Sequence, residues 1–412
     1  MSPIKKPAKP HPDFPLYAHA GKVWAKKILG KLWYFGPWDD PQAALEKYLA
    51  QKDSILAGRD PRKLAGVVGV DSGDGCKVRL LVNSFLNAKR VRMDSGQLSR
   101  KMFTQYHDAC SIIVDQFGKE SQVAALKPAD FSACLAALPK TWGLEMIGGT
   151  VGRIRSVFKF ASDEQLVDRP VMFGNNFQRP SKLQKRRDKQ QKLSDRGRLD
   201  FTAAEAKLLI ESTNNIQLKA CILLGLNAGF GNTDCAGLTT RVIDLESGWI
   251  DYPRPKTGIP RRVPMWPETV QAIKTALAKR PIPKDAAHDS LVFVTSQGMP
   301  LVWDRITKGE NGKPDKYLNV NNLTLTFGRL LTKLDLRKSG HNFYSLRRCF
   351  ETVAGESKDQ VAVNFIMGHE DATMAATYRQ GLEDSRLRAV TDHVRAWVFP
   401  ELTLQESQES HE

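Results

Sequence analysis

The sequence predicts an α+β protein of several domains, and three observations carry that expectation. Its 412 residues exceed what one core usually encloses, since domains run to about 100–200 residues. Residues 14–38 alternate aromatic and β-branched side chains with lysines, a period of two, whereas most of the chain after residue 76 repeats apolar residues every three or four positions. A second strand-like run, at 241–266, interrupts the helical text of the last two hundred residues. The expected form is a small N-terminal β-sheet/helix domain, a helical domain, and a mainly α last domain with a small β-sheet.

Composition narrows the function classes. The formal net charge is +16 and the pI about 9.5, a surplus that points to a polyanionic partner, most commonly nucleic acid. Six cysteines stand singly, with no Cys-x-x-Cys pair, so neither a zinc ribbon nor a dithiol redox motif is expected. They read as small buried hydrophobes in a reducing compartment. No apolar run reaches the roughly 18 residues of a membrane span. The N-terminus is basic and proline-rich without an apolar stretch, unlike a secretory signal. A cytoplasmic protein without metal, cofactor or membrane partner is expected.

Residues 1–13 read as a basic arm. The 14–60 stretch reads as three strands and a helix opened by Asp40-Pro41 and stopped at Gly58. Lys22, Lys26, Lys27 and Lys31 sit among Trp24 and Trp33. Either they share an outward face that enters a DNA groove, or the lysines form a solvated face over a tryptophan core. Residues 60–75 are rich in Gly and Asp and read as a linker. Over 77–178, helical periodicity appears near 77–90, 97–117, 128–139 and 146–166. The last of these carries Arg153, Arg155 and Lys159 around an apolar stripe. Residues 179–199 hold nine basic and two acidic residues, among them Lys185, Arg186 and Arg187, and read as a basic tether.

The 200–400 stretch opens with a capped helix (Thr202, with Glu205 three residues on). An apolar helix, Ile216–Leu226, runs into the glycine-broken turn of Ala228–Leu238. A strand–turn–strand follows with Lys256-Thr257-Gly258 at its tip, then a helix from Pro267, a strand and turn at 290–300, and a helix over 321–334. A final helix is expected near 384–400.

Chemistry concentrates in Phe343–Tyr378. FYSLRRCFET centres on Arg347; IMGHEDATMAATYRQ holds Gly368-His369 and, nine residues after that histidine, Tyr378. Arginine, histidine and tyrosine so arranged suit phosphoryl transfer, with a tyrosine nucleophile and cations around a phosphodiester. This stretch resembles the C-terminal signature of the tyrosine recombinase (phage integrase) family. That signature is an H-x-x-R element, a leucine-glycine-histidine turn, and a tyrosine nine residues beyond. The resemblance spans roughly residues 14 to 400 and weakens towards the N-terminus.

It implies an arm-site DNA-binding domain at 14–60, with Lys26, Lys27 and Lys31 on phosphates. It implies a core-binding domain at 77–178 and a catalytic domain at 200–400, whose terminal helix can pack on a neighbouring subunit. Tyr378 would be the nucleophile, His369 its support, Arg347 the clamp on the non-bridging oxygens, and Lys256 the general acid for the leaving oxygen. The partners implied are double-stranded DNA and further copies of the chain in a tetramer on DNA; whether an accessory DNA-bending protein takes part stays open.

Two departures stand out. Tyr344 replaces the histidine of H-x-x-R, where its hydroxyl could bond a phosphate oxygen; His341 is the lesser substitute. Gly231 stands where the family's first arginine belongs, with Asp234 keeping an acid three residues on. One lost clamp is worth roughly 3–4 kcal/mol, or two to three decades of rate. Arg254, Arg261 and Arg262 flank the Lys256 turn and are the nearest replacements, Arg254 first; the backbone N–H groups of the glycine-rich turn are another source. The expected function is therefore a site-specific recombinase. A catalytically decayed, DNA-binding relative and a type IB-like topoisomerase are the alternatives.

Overall fold

The computed structural model describes residues 6–56, 75–307, 316–369 and 381–401. The chain divides into two compact units, Met1–Asp188 and Lys189–Glu412.

The first unit begins with an antiparallel sheet, β1 (Tyr17–His19), β2 (Val23–Ile28) and β3 (Lys31–Pro37), followed by helix α1 (Pro41–Leu56). Trp24 and Trp33 are buried with Phe14, Phe35 and Ile55. The groove-facing tryptophans that the alternation allowed are therefore core residues; Lys22, Lys27 and Lys31 are exposed, while Lys26 is half-buried against Tyr48. A thin core of one short sheet and one helix needs every large ring it has. A four-helix block follows: α2 (Val78–Asp94), α3 (Arg100–Phe117), α4 (Pro128–Ala137) and α5 (Leu144–Asp163). Its core stacks Phe131 edge-on to Phe158, 5.1 Å between centroids. Helix α6 (Lys182–Arg196) takes up the basic tether and buries none of its residues. Its helical form comes from residues of good propensity, Lys, Arg, Gln and Leu, rather than from an apolar face.

The second unit is built around one helix. Helix α7 (Ala203–Ser212) starts on the Thr202/Glu205 capping box. In α8 (Ile216–Ala228) every residue from Ala220 to Ala228 is buried, as a helix apolar on all sides requires. After it come short α9 (Asn232–Ala236), the antiparallel sheet β4 (Ile243–Asp244), β5 (Trp249–Asp251) and β6 (Arg262–Pro264), α10 (Pro267–Ala278), α11 (Asn322–Lys333), α12 (Tyr344–Gly355), α13 (Gln360–Met367) and α14 (Asp384–Val398), of which α10, α11, α12 and α14 pack on α8. Asn227, the polar group inside α8, fastens it to β6. Its side chain donates to Pro264 O at 3.0 Å and accepts from Trp266 N at 2.9 Å.

The structure departs from the sequence expectations in three places here. Residues 290–300 are not a strand; Val292, Phe293 and Val294 are buried, but the backbone makes only the isolated bridges Thr239–Leu291 and Val294–Pro300. A hairpin that the periodicity did not announce, β7 (Val302–Thr307) with β8 (Lys316–Asn321), follows instead. Finally, α14 packs on its own unit: Leu387, Val390, Val394 and Val398 are buried there. Trp266 Nε1 donates to Thr391 O at 2.8 Å, and Arg395 pairs with Glu268 at 2.7 Å. Its apolar stripe is used within the chain rather than on a neighbouring subunit. Among the described residues no helix is long and apolar enough to cross a membrane.

Candidate active site

The site starts from a close helix crossing. A Cβ on Gly225 of α8 would lie 2.9 Å from Leu346 Cβ, so the absent side chain lets α12 approach. That approach delivers the next residue, Arg347, to the C-terminal end of α8. Arg347 is 1% exposed. Its guanidinium donates to the carbonyls of Gly229 and Met367, the latter at 3.0 Å, so it ties the ends of α8 and α13 together. Buried arginine is costly unless its fork is filled, and here two carbonyls and His369 fill most of it. Arg347 Nε has no hydrogen-bond partner among the described residues.

His369 is placed by a backbone motif. Gly368 ends α13 in the left-handed region at φ 62°, with Gly368 N on Phe365 O and His369 N on Asn364 O at 2.9 Å. These two bonds are the Schellman pair, which only glycine or asparagine closes readily. Any Cβ on Gly368 would also meet Arg261 Cδ at 2.8 Å and Arg254 Cβ at 3.0 Å. His369 Nε2 lies 2.9 Å from Arg347 Nη2. Arginine only donates, so Nε2 accepts and the ring proton sits on Nδ1. Burial first, then the neighbouring Arg347, hold the imidazole pKa below its usual value, and Glu351 opposes this.

The β5–β6 turn brings the remaining cations. Arg254 is half-buried, with Nη1 3.3 Å from Gly368 O. Arg261 is 2% exposed. Its Nε donates to Tyr252 O at 2.9 Å, Nη2 lies 3.0 Å from Asp234 Oδ1, and the guanidinium sits over the Phe230 ring at 4.4 Å. Asp234 Oδ2 accepts from Gly231 N at 2.8 Å. One carboxylate thus shapes the glycine turn and holds Arg261 beside it. Burial lowers the pKa of Arg261 and of Arg347; Asp234 counters this most at Arg261, and Arg254 adds to it at Arg347. Both stay charged near neutrality, because arginine starts above about 12.

The sequence-predicted residues fall into four groups. Arg347, His369, Arg254 and Tyr344 come together. Tyr344 opens α12 and is 44% exposed, and its ring lies 3.7 Å from where a Cβ on Gly231 would be. Lys256 stands exposed at the turn tip, on the same hairpin. Tyr378 lies outside the described residues. His341 points elsewhere, its ring nitrogens each 3.3 Å from the carbonyls of Leu336 and Arg198.

Of the expected DNA-binding residues, Lys27, Lys31, Arg186 and Arg187 are exposed. The other four have intramolecular partners: Lys26 donates to Tyr48 Oη at 2.8 Å, Arg153 to Gln105, and Arg155 to Phe177 O at 2.9 Å, while Lys185 pairs with Glu145 at 2.9 Å. The closeness of Arg261 and Asp234 to Arg347 was beyond sequence reasoning. Its signals were the acid retained three residues after a glycine and the place of Arg261 among three arginines flanking the Lys256 turn.

Comparison with known proteins fits this geometry. Residues 200–384 match the family model described as "Phage integrase family". Among solved structures, the integrase of the transposon Tn1549 (residues 82–397), in complex with transposon right end DNA, superposes with a TM-score of 0.52 at 17% identity. It covers 78% of this chain and 100% of its own. A lambda integrase tetramer bound to a Holliday junction gives 0.52 at 14%, covering 91% and 98%. A lambda integrase dimer bound to a COC′ core site gives 0.50 at 15%, covering 92% and 99%. No curated protein sequence matches. At such identities the structural matches speak for the fold alone, and the family model for residues 200–384, which match the phage integrase family.

Proposed function

We propose that this protein is a site-specific DNA recombinase that cuts and rejoins strands through a 3′-phosphotyrosine on Tyr378. The observation that carries the reading is the buried Arg347 bonded to His369, a histidine that stands nine residues before that tyrosine. The Tyr378 oxygen attacks phosphorus, the bond from phosphorus to the 5′ oxygen breaks, and Lys256 gives that oxygen its proton. Arg347 holds the non-bridging oxygens as charge gathers on them, with Tyr344 beside it. A phosphate that takes Arg347 Nη2 also releases His369 Nε2, which then becomes free to accept the tyrosine proton. The partner strand's 5′-hydroxyl reverses the step, so no nucleotide or metal is consumed. Exchange between two duplexes calls for a tetramer on DNA, acting in the cytoplasm. In this reading residues 14–60 hold arm sites, 77–178 and the 179–199 tether clamp the core site, and 200–400 do the chemistry. Exposed Lys27, Lys31, Arg186 and Arg187 are the first phosphate contacts. Lys26, Arg153, Arg155 and Lys185 join them by exchanging their present partners for phosphates.

The test is covalent trapping on nicked duplexes drawn from a random library and from the ends of the DNA element that encodes the protein. An adduct with the wild type and none with Tyr378→Phe is expected. Tight binding with no adduct would replace the reading by a DNA-binding protein on a decayed recombinase scaffold, which Gly231 favours. Relaxation of supercoiled plasmid without exchange between sites would favour a topoisomerase.

A further inference from the structure

The charges inside the second unit do not balance. Arg261 and Arg347 are both buried to within 2% of complete, and Arg254 lies half-buried against the same glycine, Gly368. Against them the carboxylate in contact is Asp234, which already accepts from Gly231 N with its other oxygen. Arg261 Nη1 and Arg347 Nε have no hydrogen-bond partner among the described residues. Buried guanidinium N–H groups left open are expensive, and an anion is the ligand that would fill them on two neighbouring cations. The two arginines are brought together by neighbouring backbone. Arg347 grips Gly229 O, Phe230 carries the Arg261 guanidinium on its ring face, and Arg261 packs under Gly368, one residue before the His369 that Arg347 touches.

We infer that Arg261, rather than Arg254, is the second phosphate-holding arginine, and that one phosphate group of the DNA backbone is taken between Arg261 and Arg347. The inference rests on the recombinase reading for the identity of its ligand, though not for the anion site itself. Arg261 reaches the site from β6, across the turn that Gly231 leaves without a side chain. Asp234 holds it in place there and, in doing so, competes with the anion. The Tyr344 ring lies 3.7 Å from where a Cβ on Gly231 would be, so it borders the position of the missing arginine.

The measurement is thermal stabilisation of the full chain by inorganic phosphate, against chloride at equal ionic strength, with single-turnover cleavage as a second arm. The wild type is expected to be stabilised by phosphate. R261Q should bind it about 10- to 100-fold more weakly, the worth of one to two charge-assisted hydrogen bonds. R254A should stay within a few-fold of wild type, and R261K should keep most of the affinity. D234N, which frees Arg261, should bind phosphate as well as or better than wild type, although it removes the same ion pair as R261Q. Opposite effects of D234N and R261Q support an anion site; equal losses in both would make Arg261 a structural ion pair and overturn the inference. A wild type indifferent to phosphate, or an affinity lost in R254A and kept in R261Q, would overturn it as well. In the cleavage arm R261Q should be slower by about two to three decades and R254A by less than tenfold. Phosphate binding that depends on Arg261 in a protein forming no adduct would sink the recombinase reading and leave this one standing. An adduct formed equally well by R261Q would do the reverse.

Discussion

Two sets of arginines in this chain differ in everything except residue type. Arg186 and Arg187, on α6, face water and belong to a helix that buries nothing. Arg261 and Arg347 are sealed within the second unit, gripping backbone carbonyls and one carboxylate. In water a guanidinium acts through the ion atmosphere: it displaces counterions from a phosphate chain and is interchangeable with its neighbours. Sealed away, the same group acts at one point, with a strength that low dielectric multiplies. Exposed arginines should therefore set affinity and its salt dependence, and buried ones the rate and part of the stability.

The largest expected effect is on the buried side. Arg347→Ala should slow single-turnover cleavage by about two to three decades. It should also destabilise the fold, by roughly 3 kcal/mol, because the carbonyls of Gly229 and Met367 lose their donor. Arg347→Lys should not restore the rate, since a point charge cannot copy the fork. A variant that cleaves at the wild-type rate would erase the contrast between the two sets.

Next is a neutral residue that supports the buried set. Asn227→Ala leaves Trp266 N and Pro264 O unpaired inside the unit, and urea unfolding should show a loss of roughly 2–3 kcal/mol. Replacing Arg186 and Arg187 together by alanine should move stability by less than about 0.5 kcal/mol. Their effect belongs in DNA binding: the slope of log K against log salt should flatten by about 1.8, some 0.9 for each phosphate no longer neutralised. An unchanged slope would mean that α6 does not track the backbone.

The smallest effect is in pH. His369 is held neutral in the fold, by burial and then by Arg347. Its folded pKa lies below the unfolded value of about 6.5, so the unfolded chain takes up the proton first as acid is added. The contribution of His369 is therefore complete above about pH 6.5 and is lost as pH falls through the lowered folded value. His369→Gln should remove that part of the acid sensitivity, read as a flatter melting temperature between about pH 7 and pH 5. An unchanged profile would show that the imidazole does not titrate there.

The sequence carried the local parts of this architecture. Thr202 with Glu205 announces α7, Pro267 announces α10, and Gly368 marks the end of α13, because caps and turns are settled within a few residues. The nearness of Arg347 and His369 was legible from the resemblance, and the structure adds the glycine stop that places the histidine. What faces what was decided by packing. Trp24 and Trp33 fit either side of a three-stranded sheet until the fold buries both with Phe14, Phe35 and Ile55. Residues 290–300 are as apolar as a strand, yet they find only single bridges, to Thr239 and to Pro300. The stripe on α14 suited another subunit as well as its own. Arg261 reads as one of several basic residues near a turn; only the meeting of Phe230, Asp234 and Gly368, separated by up to 138 positions from one another, turns it into a buried cation. Periodicity and caps are local free energies and so are written in order along the chain. Burial, and the charge chemistry it makes strong, depends on contacts between distant segments, and only the folded structure sets those.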